Sequence, residues 1–263
     1  ICSNRDLASS TISRCLMEKY GFLKDTNSTF FSSNYPNIVL HISENSLLYL
    51  DNLDEQYPKT SCFIFLSQHR SKANIPALTC HSTGNFSKNN FGGKERELGV
   101  CYPWLQKQYL IELNNHKDSV PKYDIIIEST HHGPTSLKKP TLFIEIASTE
   151  KQWKDENAAH IVCRSLFNAI TKKNEFCEKV AIALGGNHYP TKFNKLLLES
   201  EFGLGSIAAK HDLPYLDNFL IEQMISQSIE KVNYAVVDSK GLGKEKSRIL
   251  SVLDQVGIEV IRI

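Results

Sequence analysis

Short apolar, β-rich runs recur along the chain at Cys62–Leu66, Asp124–Glu128, Leu142–Ile146, Val180–Leu184, Tyr234–Val237 and Ile258–Ile263. Continuous apolar runs of this length are the pattern of strands buried on both faces. Between them the period lengthens to that of a helix. Cys101, Leu105, Tyr109 and Leu113 recur every four residues. Thr149 and Gln152 form a capping box that opens a helix running through Val162, Leu166 and Ile170. A helix from about Lys244 carries Ile249, Leu253 and Val256 and stops at Gly257. An opening helix places Ile12, Leu16 and Tyr20 on one face and ends at Gly21. Alternating strands and helices predict a three-layer α/β sandwich.

One stretch breaks the rhythm. Lys24 to Lys59 has no helical period, and its runs Asn37–Ile42 and Ser46–Leu50 read as strands or a hairpin. The expectation is one α/β hydrolytic domain over residues 1–263, with a β-rich appendage at 22–60 inside it. His41 falls in that appendage and is read as structural.

Composition narrows the classes. Thirty basic and 29 acidic residues leave a formal charge of +1, far from the excess of a dedicated nucleic-acid coat. A nucleic acid would have to be held by a local patch, for which Lys138-Lys139, Lys172-Lys173, Lys192 with Lys195, Lys210 and the run Lys244 to Arg248 are candidates. No stretch approaches the roughly 20 apolar residues of a membrane helix, and the opening residues lack a signal-peptide pattern. A cytoplasmic protein without membrane association is expected. Seven cysteines, with no C-x-x-C pair, disfavour a disulfide framework and a thiolate zinc knuckle.

The chemistry concentrates just after the predicted strands. Ser67 to Ser71, Thr130 to Thr135, Ser148 to Glu150, Gly185 to Tyr189 and Asp238 to Gly241 each follow one such run. In open α/β sheets the ligand crevice lies beyond the carboxyl ends of the strands, so five polar clusters there indicate one shared site. Histidine, carboxylate and hydroxyl suit zinc or another first-row ion better than a nucleotide phosphate. The ligand candidates are His69, His81, His131, His132 and His188, with Glu128, Glu145, Glu150 and Asp238 able to complete a shell or polarise a histidine. Any one of these histidines alone is explained equally well by a structural hydrogen bond. Adjacent His131 and His132 would point to opposite sides of an extended strand, so one is expected on the ion and the other on substrate. Glycines at Gly84, Gly92 and Gly93 bracket a loop whose amides could face an anion, although glycine in a turn is usually geometry alone. Cys80 beside His81 is a poor nucleophile pair, since sequence neighbours seldom make one. Walker, dinucleotide, H-E-x-x-H and G-x-S-x-G signatures are absent.

These strings resemble the archaeal and plant type of D-aminoacyl-tRNA deacylase. The resemblance rests on Ser67-x-His69-x-Ser71, Leu78 to Asn85, Gly92-Gly93, Glu128 to Thr135, Glu145 to Glu150 with Trp153, and Gly185 to Tyr189. Weaker matches are Ser3-x-x-Asp6 with Ala8, Phe202-Gly203 and Asp238-x-Lys240. It implies a zinc-dependent enzyme of phosphorylase or peptidyl-tRNA hydrolase-like α/β/α fold, with a mixed, mostly parallel central sheet. It would hydrolyse the ester joining a D-amino acid to the tRNA 3′ end, as a monomer holding one or two Zn2+ ions. Ala147 and Asn187 stand where that pattern has glycine, and Ser206 where histidine often follows glycine; His211 is the histidine that could take over the role.

Strand-end position and motif match together assign His81, His131, His188 and Glu145 to the metal. His132 is the acid/base candidate, with Thr130 an orienting hydroxyl and Glu150 a further catalytic candidate. Ser67, His69, Asn85, Thr135, Tyr189 and Lys240 are assigned to substrate. Two rival readings use the same residues: a metallo-aminopeptidase or amidase acting on small peptides, and a non-enzymatic tRNA- or metal-binding module.

Overall fold

A computed structural model describes residues 1–26, 28–70, 74–172 and 176–263. Ser71 and Lys173, named above, lie outside the described residues. In chain order the strands are β1 (Cys2–Ser3), β2 (Leu23–Lys24), β3 (Thr29–Phe31), β4 (Val39–Ser43), β5 (Phe63–Arg70), β6 (Ala77–His81), β7 (Asp124–Ile127), β8 (Thr141–Ser148), β9 (Lys179–Leu184), β10 (Phe202–Ala208), β11 (Tyr234–Val237) and β12 (Glu259–Arg262). The helices are α1 (Leu7–Tyr20), α2 (Leu53–Gln56), α3 (Pro103–Asn115), α4 (Glu150–Trp153), α5 (Glu156–Thr171), α6 (Thr191–Glu199), α7 (Asn218–Ser226) and α8 (Lys246–Val256).

Two four-stranded sheets carry the fold. One has the order β5-β8-β6-β7 and the other β10-β9-β11-β12. Every pair in them is parallel except β6 with β8, so the assembly is mixed and mostly parallel. Alternation along β9 shows why there are three layers. Ala181 and Ala183 join the cluster built on α1, α3 and α5, whereas Val180, Ile182 and Leu184 join the one built on α7 and α8. Helices therefore cover both faces, as the strand and helix alternation predicts. A smaller sheet, β1-β4-β3-β2, takes in part of residues 22–60.

The two large sheets meet at the segment that follows β7. Thr130 N donates to Ile207 O at 2.9 Å, Ile207 N donates to Thr130 Oγ1 at 2.9 Å, and Ser129 N donates to His188 O at 2.9 Å. The histidine block is thus fixed at a seam to which both sheets contribute strand ends.

Three local expectations are corrected. Ser46–Leu50 is not a strand: Leu47–Tyr49 forms a 3-10 turn, because Leu47, Leu50 and Leu53 bury together against the stacked rings of Phe65 and Phe143. The helix opening at Thr149 does not run on to Ile170. It ends at Trp153, and Asp155 starts α5 afresh by accepting from Asn157 N and Ala158 N. Cys101 lies before α3, which begins with Pro103 in its first turn. Among the described residues no helix is long and apolar enough to cross a membrane.

Candidate active site

Strand ends deliver the polar side chains. His69 is the penultimate residue of β5 and His81 the last of β6; Glu128 follows β7, Glu145 lies within β8, and His188 lies in the loop after β9. His131 and His132 sit in the loop beyond Glu128. The loop does not run extended, because His132 takes the left-handed conformation at φ 47°. Both rings consequently face the same cluster, with centroids 4.4 Å apart, which overturns the expectation of opposite sides. His131 also lies 4.1 Å from the His81 ring and 4.7 Å from the His188 ring, centroid to centroid.

Hydrogen bonds fix how these rings face. Nδ1 of His131, His132 and His81 lies 2.8, 2.7 and 3.0 Å from the carbonyls of Ser129, Gly133 and Ser82. A carbonyl can only accept, so each Nδ1 carries the hydrogen; His131 and His132 then offer Nε2 lone pairs, while His81 Nε2 faces the Glu145 carboxylate at 3.7 Å. Ligand atoms of His69, Glu128, His131 and His188 lie within 4.8 Å of one another, and so do those of His81, His131 and His132.

The donor set fits a cation. Both Glu128 carboxylate oxygens and His81 Nε2 are buried without a well-directed hydrogen bond, although His188 Nε2 is only 2.7 Å from Glu128 Oε2. Buried acceptors left in this state are costly unless a positive charge completes them. Imidazole and carboxylate ligands, with backbone carbonyls orienting the imidazoles, match a zinc-type site.

Electrostatics separates the residues further. His132 is driven down to about 3 by burial and by neighbouring His81, and burial with His81, His132 and His188 holds His131 well below its ordinary value. Burial opposes a charge on His69 as well. The hydrogen bond to Glu145 and the charges of Glu128 and Glu145 outweigh it and push His69 up to about 9. Glu145 is buried, yet hydrogen bonding with His69 and His81 holds its carboxyl well below the usual range.

Not every expected residue joins. Glu150 is a surface side chain paired with Lys154, outside both ligand groups and outside the pocket beside them. Lys240 is likewise outside. Thr130 spends its hydroxyl on Ser82 Oγ at 2.7 Å and on Ile207 N, so it positions the block. Asn85 donates to the Gly92 and Lys94 carbonyls, and Thr135 to Glu97, so both brace loops. Ser67 lines the pocket and donates to Asp6 at 3.0 Å, while Tyr189 packs 5.4 Å from the His188 ring. His211 is exposed against Asp212, outside both ligand groups, and Ser206 is fully buried. Burial raises Cys80 far above a reactive thiol, which removes it as a nucleophile. Of the basic candidates, Lys172 pairs with Glu112 and Lys192 with Asp238.

The pocket encloses about 580 Å³ and is lined by His69, His131, His132, His188 and Glu145 together with Arg5, Asp6, Leu47, Leu48, Arg70 and Phe91. Arg5, Arg70, Leu48 and Phe91 are not among the expected site residues: Arg5, Arg70 and Phe91 lie within or beside the matching strings without being motif positions, and nothing in the sequence ties Leu48 to the histidines.

Residues 56–261 match the family model of D-aminoacyl-tRNA deacylase. The chain belongs to this family. A protein named D-aminoacyl-tRNA deacylase from Cenarchaeum symbiosum is 40% identical over 76% of this chain and 76% of its own. Those of Thermococcus onnurineus and Methanosarcina barkeri are each 34% identical, over 98% and 100% of this chain and 96% and 88% of their own. A crystal structure of a conserved protein of unknown function superposes with a TM-score of 0.90 at 29% identity, covering 99% of this chain and 93% of that one. The structural match thus extends over nearly the whole fold, beyond the residues that the family model covers.

Proposed function

We propose that this chain hydrolyses the ester joining a D-amino acid to the 3′ end of tRNA, with the histidine and carboxylate cluster as a divalent-metal centre. The named activity of the family and of its near full-length relatives supports the substrate. The observation that supports the metal is the convergence of His188 Nε2, His69 Nδ1 and His131 Nε2, at 2.7, 3.2 and 3.9 Å, on the buried Glu128 carboxylate, whose oxygens have no well-directed hydrogen bond. His69, Glu128, His131 and His188 would hold one ion, and His81, His131 and His132 offer a second position that shares His131. Such an ion, when bound, supplies Lewis acidity that brings the pKa of a water in its shell to about 7.

The remaining work falls to the chain. His132 presents an unprotonated Nε2 to the pocket while Gly133 holds its other nitrogen. It takes a proton as the ester carbonyl is attacked and returns it to the departing ribose oxygen. Its depressed pKa makes it a strong acid at that moment. Glu145, which also lines the pocket, orients His69 through Nδ1 at 2.9 Å and lies 3.7 Å from His81 Nε2. Arg5 and Arg70 put positive charge at the pocket mouth, where the nucleic acid must enter. A translation-linked substrate makes the cytoplasm the place of action.

Deacylation of D-Tyr-tRNA and L-Tyr-tRNA, with chelator and with added zinc, tests this reading. The expected result is release from the D-ester only, lost with chelator and restored by zinc. Equal rates on both esters would sink the stereospecific reading, and full activity in chelator would sink the metal. Cleavage of small peptides without any tRNA dependence would favour an aminopeptidase instead.

A further inference from the structure

The pocket holds one large apolar side chain that the chemistry above does not use. Phe91 is 64% exposed and lines the same pocket as His131 and His132. The loop that carries it is pinned. Gly133 N donates to Phe91 O at 3.0 Å, Asn85 Nδ2 to Gly92 O at 2.8 Å, and Asn89 Nδ2 to Gly93 O at 2.9 Å. Gly92 and Gly93 take φ of 76° and 71°, and a Cβ on Gly92 would stand 1.9 Å from Leu48 O. A Cβ on Gly133 would stand 2.2 Å from Gly93 N, so the Phe91 loop and the histidine block are packed backbone to backbone. The backbone that carries the ring is therefore held at a set place beside the reacting centre. The exposed charged side chains lining this pocket are Arg5 and Arg70, both positive.

We infer that Phe91 is the stacking platform for the terminal adenine of the tRNA substrate, a reading that rests on the activity proposed above. Every tRNA ends in adenosine, and its ribose carries the scissile ester. With the ester at the histidines, the base of the same nucleotide must lie within one nucleotide's reach, and a fixed aromatic face is what single-stranded bases stack on. Arg5 and Arg70 then meet the phosphate of that nucleotide.

Titration with adenosine 5′-monophosphate, read by calorimetry on the parent, F91A and F91Y, tests the platform without requiring turnover. Phe91 is exposed, so equal thermal melting of the three proteins is expected. The parent should bind the nucleotide, F91A should bind it about tenfold more weakly or worse, and F91Y should stay within about threefold of the parent, the size of one base–aromatic stack being at stake. Equal affinity in the parent and F91A, or no binding by the parent, overturns the inference. In parallel, the ratio of kcat/KM on D-Tyr-tRNA to that on D-tyrosine methyl ester should fall about tenfold in F91A. An unchanged ratio overturns the platform while leaving the deacylase reading standing. Nucleotide binding through Phe91 by a protein that releases no amino acid supports the platform and fails the deacylase reading.

Discussion

His131 Nδ1 donates to the Ser129 carbonyl at 2.8 Å, which leaves Nε2 as the nitrogen aimed into both groups of ligand atoms. This one bond fixes the tautomer of the residue that the two groups share.

His131→Ala should therefore empty the centre more completely than His69→Ala, which strips one group. After dialysis, zinc measured by mass spectrometry should fall below about a tenth of the parent's in H131A. H132A should keep its zinc and lose roughly 100-fold or more in kcat, the usual scale for a general acid or base. An H131A protein that retains parental zinc would falsify the shared-ligand assignment.

The two buried carboxylates should respond differently. Glu128 sits among His69, His131 and His188, whereas Glu145 lies outside that group of ligand atoms, bonded to His69 Nδ1 at 2.9 Å and 3.7 Å from His81 Nε2. E145Q should weaken zinc by about 10- to 100-fold, as expected for a residue that orients a ligand, and E128Q by more than about 100-fold. Competition with a chromophoric chelator measures both. The reverse order would move the ion toward Glu145.

Asp6 ties the start of α1 to the end of β5, the strand that carries His69. Its carboxylate accepts from Ser9 N at 2.8 Å, Gln68 N at 2.9 Å and Ser67 Oγ at 3.0 Å. Asp6→Ala removes a helix cap and leaves a Gln68 amide unpaired, for a loss of about 2–3 kcal/mol. Urea denaturation reads this directly, and D6N should recover part of the loss because its amide oxygen can still accept.

Asp212 gives a pH signature. Burial raises its carboxyl from an ordinary 3.8 to about 6, against the opposing charge of His211 and a hydrogen bond from Ala209 N. The folded chain then holds this proton more tightly than the unfolded one. Its contribution to stability is present at acid pH and is lost as pH rises through about 6. Asp212→Asn cannot ionise yet can still accept from Ala209. Relative to the parent, D212N should gain about 2 kcal/mol between pH 4 and pH 7 in urea denaturation. A constant difference across that range would show that the carboxyl is not perturbed.

Six strands and the first and last α-helices were legible in the sequence, because uninterrupted apolar runs and fourfold spacing are local signals. Two strands of the large sheets were hidden. Ala77–His81 mixes threonine and histidine into a strand buried along its whole length, and Phe202–Ala208 contains two glycines. Those glycines look like breakers until the packing is seen: Cys177 Sγ and Cys101 Sγ would lie 2.4 Å and 3.0 Å from a Cβ at Gly203 and Gly205.

The site divides along the same line. Sequence alone determined that histidines, carboxylates and hydroxyls gather at strand ends, since each cluster directly follows its own apolar run. Only the tertiary structure decided which of them meet. It bent the chain at His132 so that both neighbours face one centre, set Glu128 rather than Glu150 among the imidazoles, and turned Thr130, Asn85 and Thr135 into braces. It also brought Phe91, which the sequence marks only by the two glycines after it, into the lining of the pocket. Which groups converge depends on backbone dihedrals and on the seam between two sheets, and neither is written in the spacing of residues along one strand.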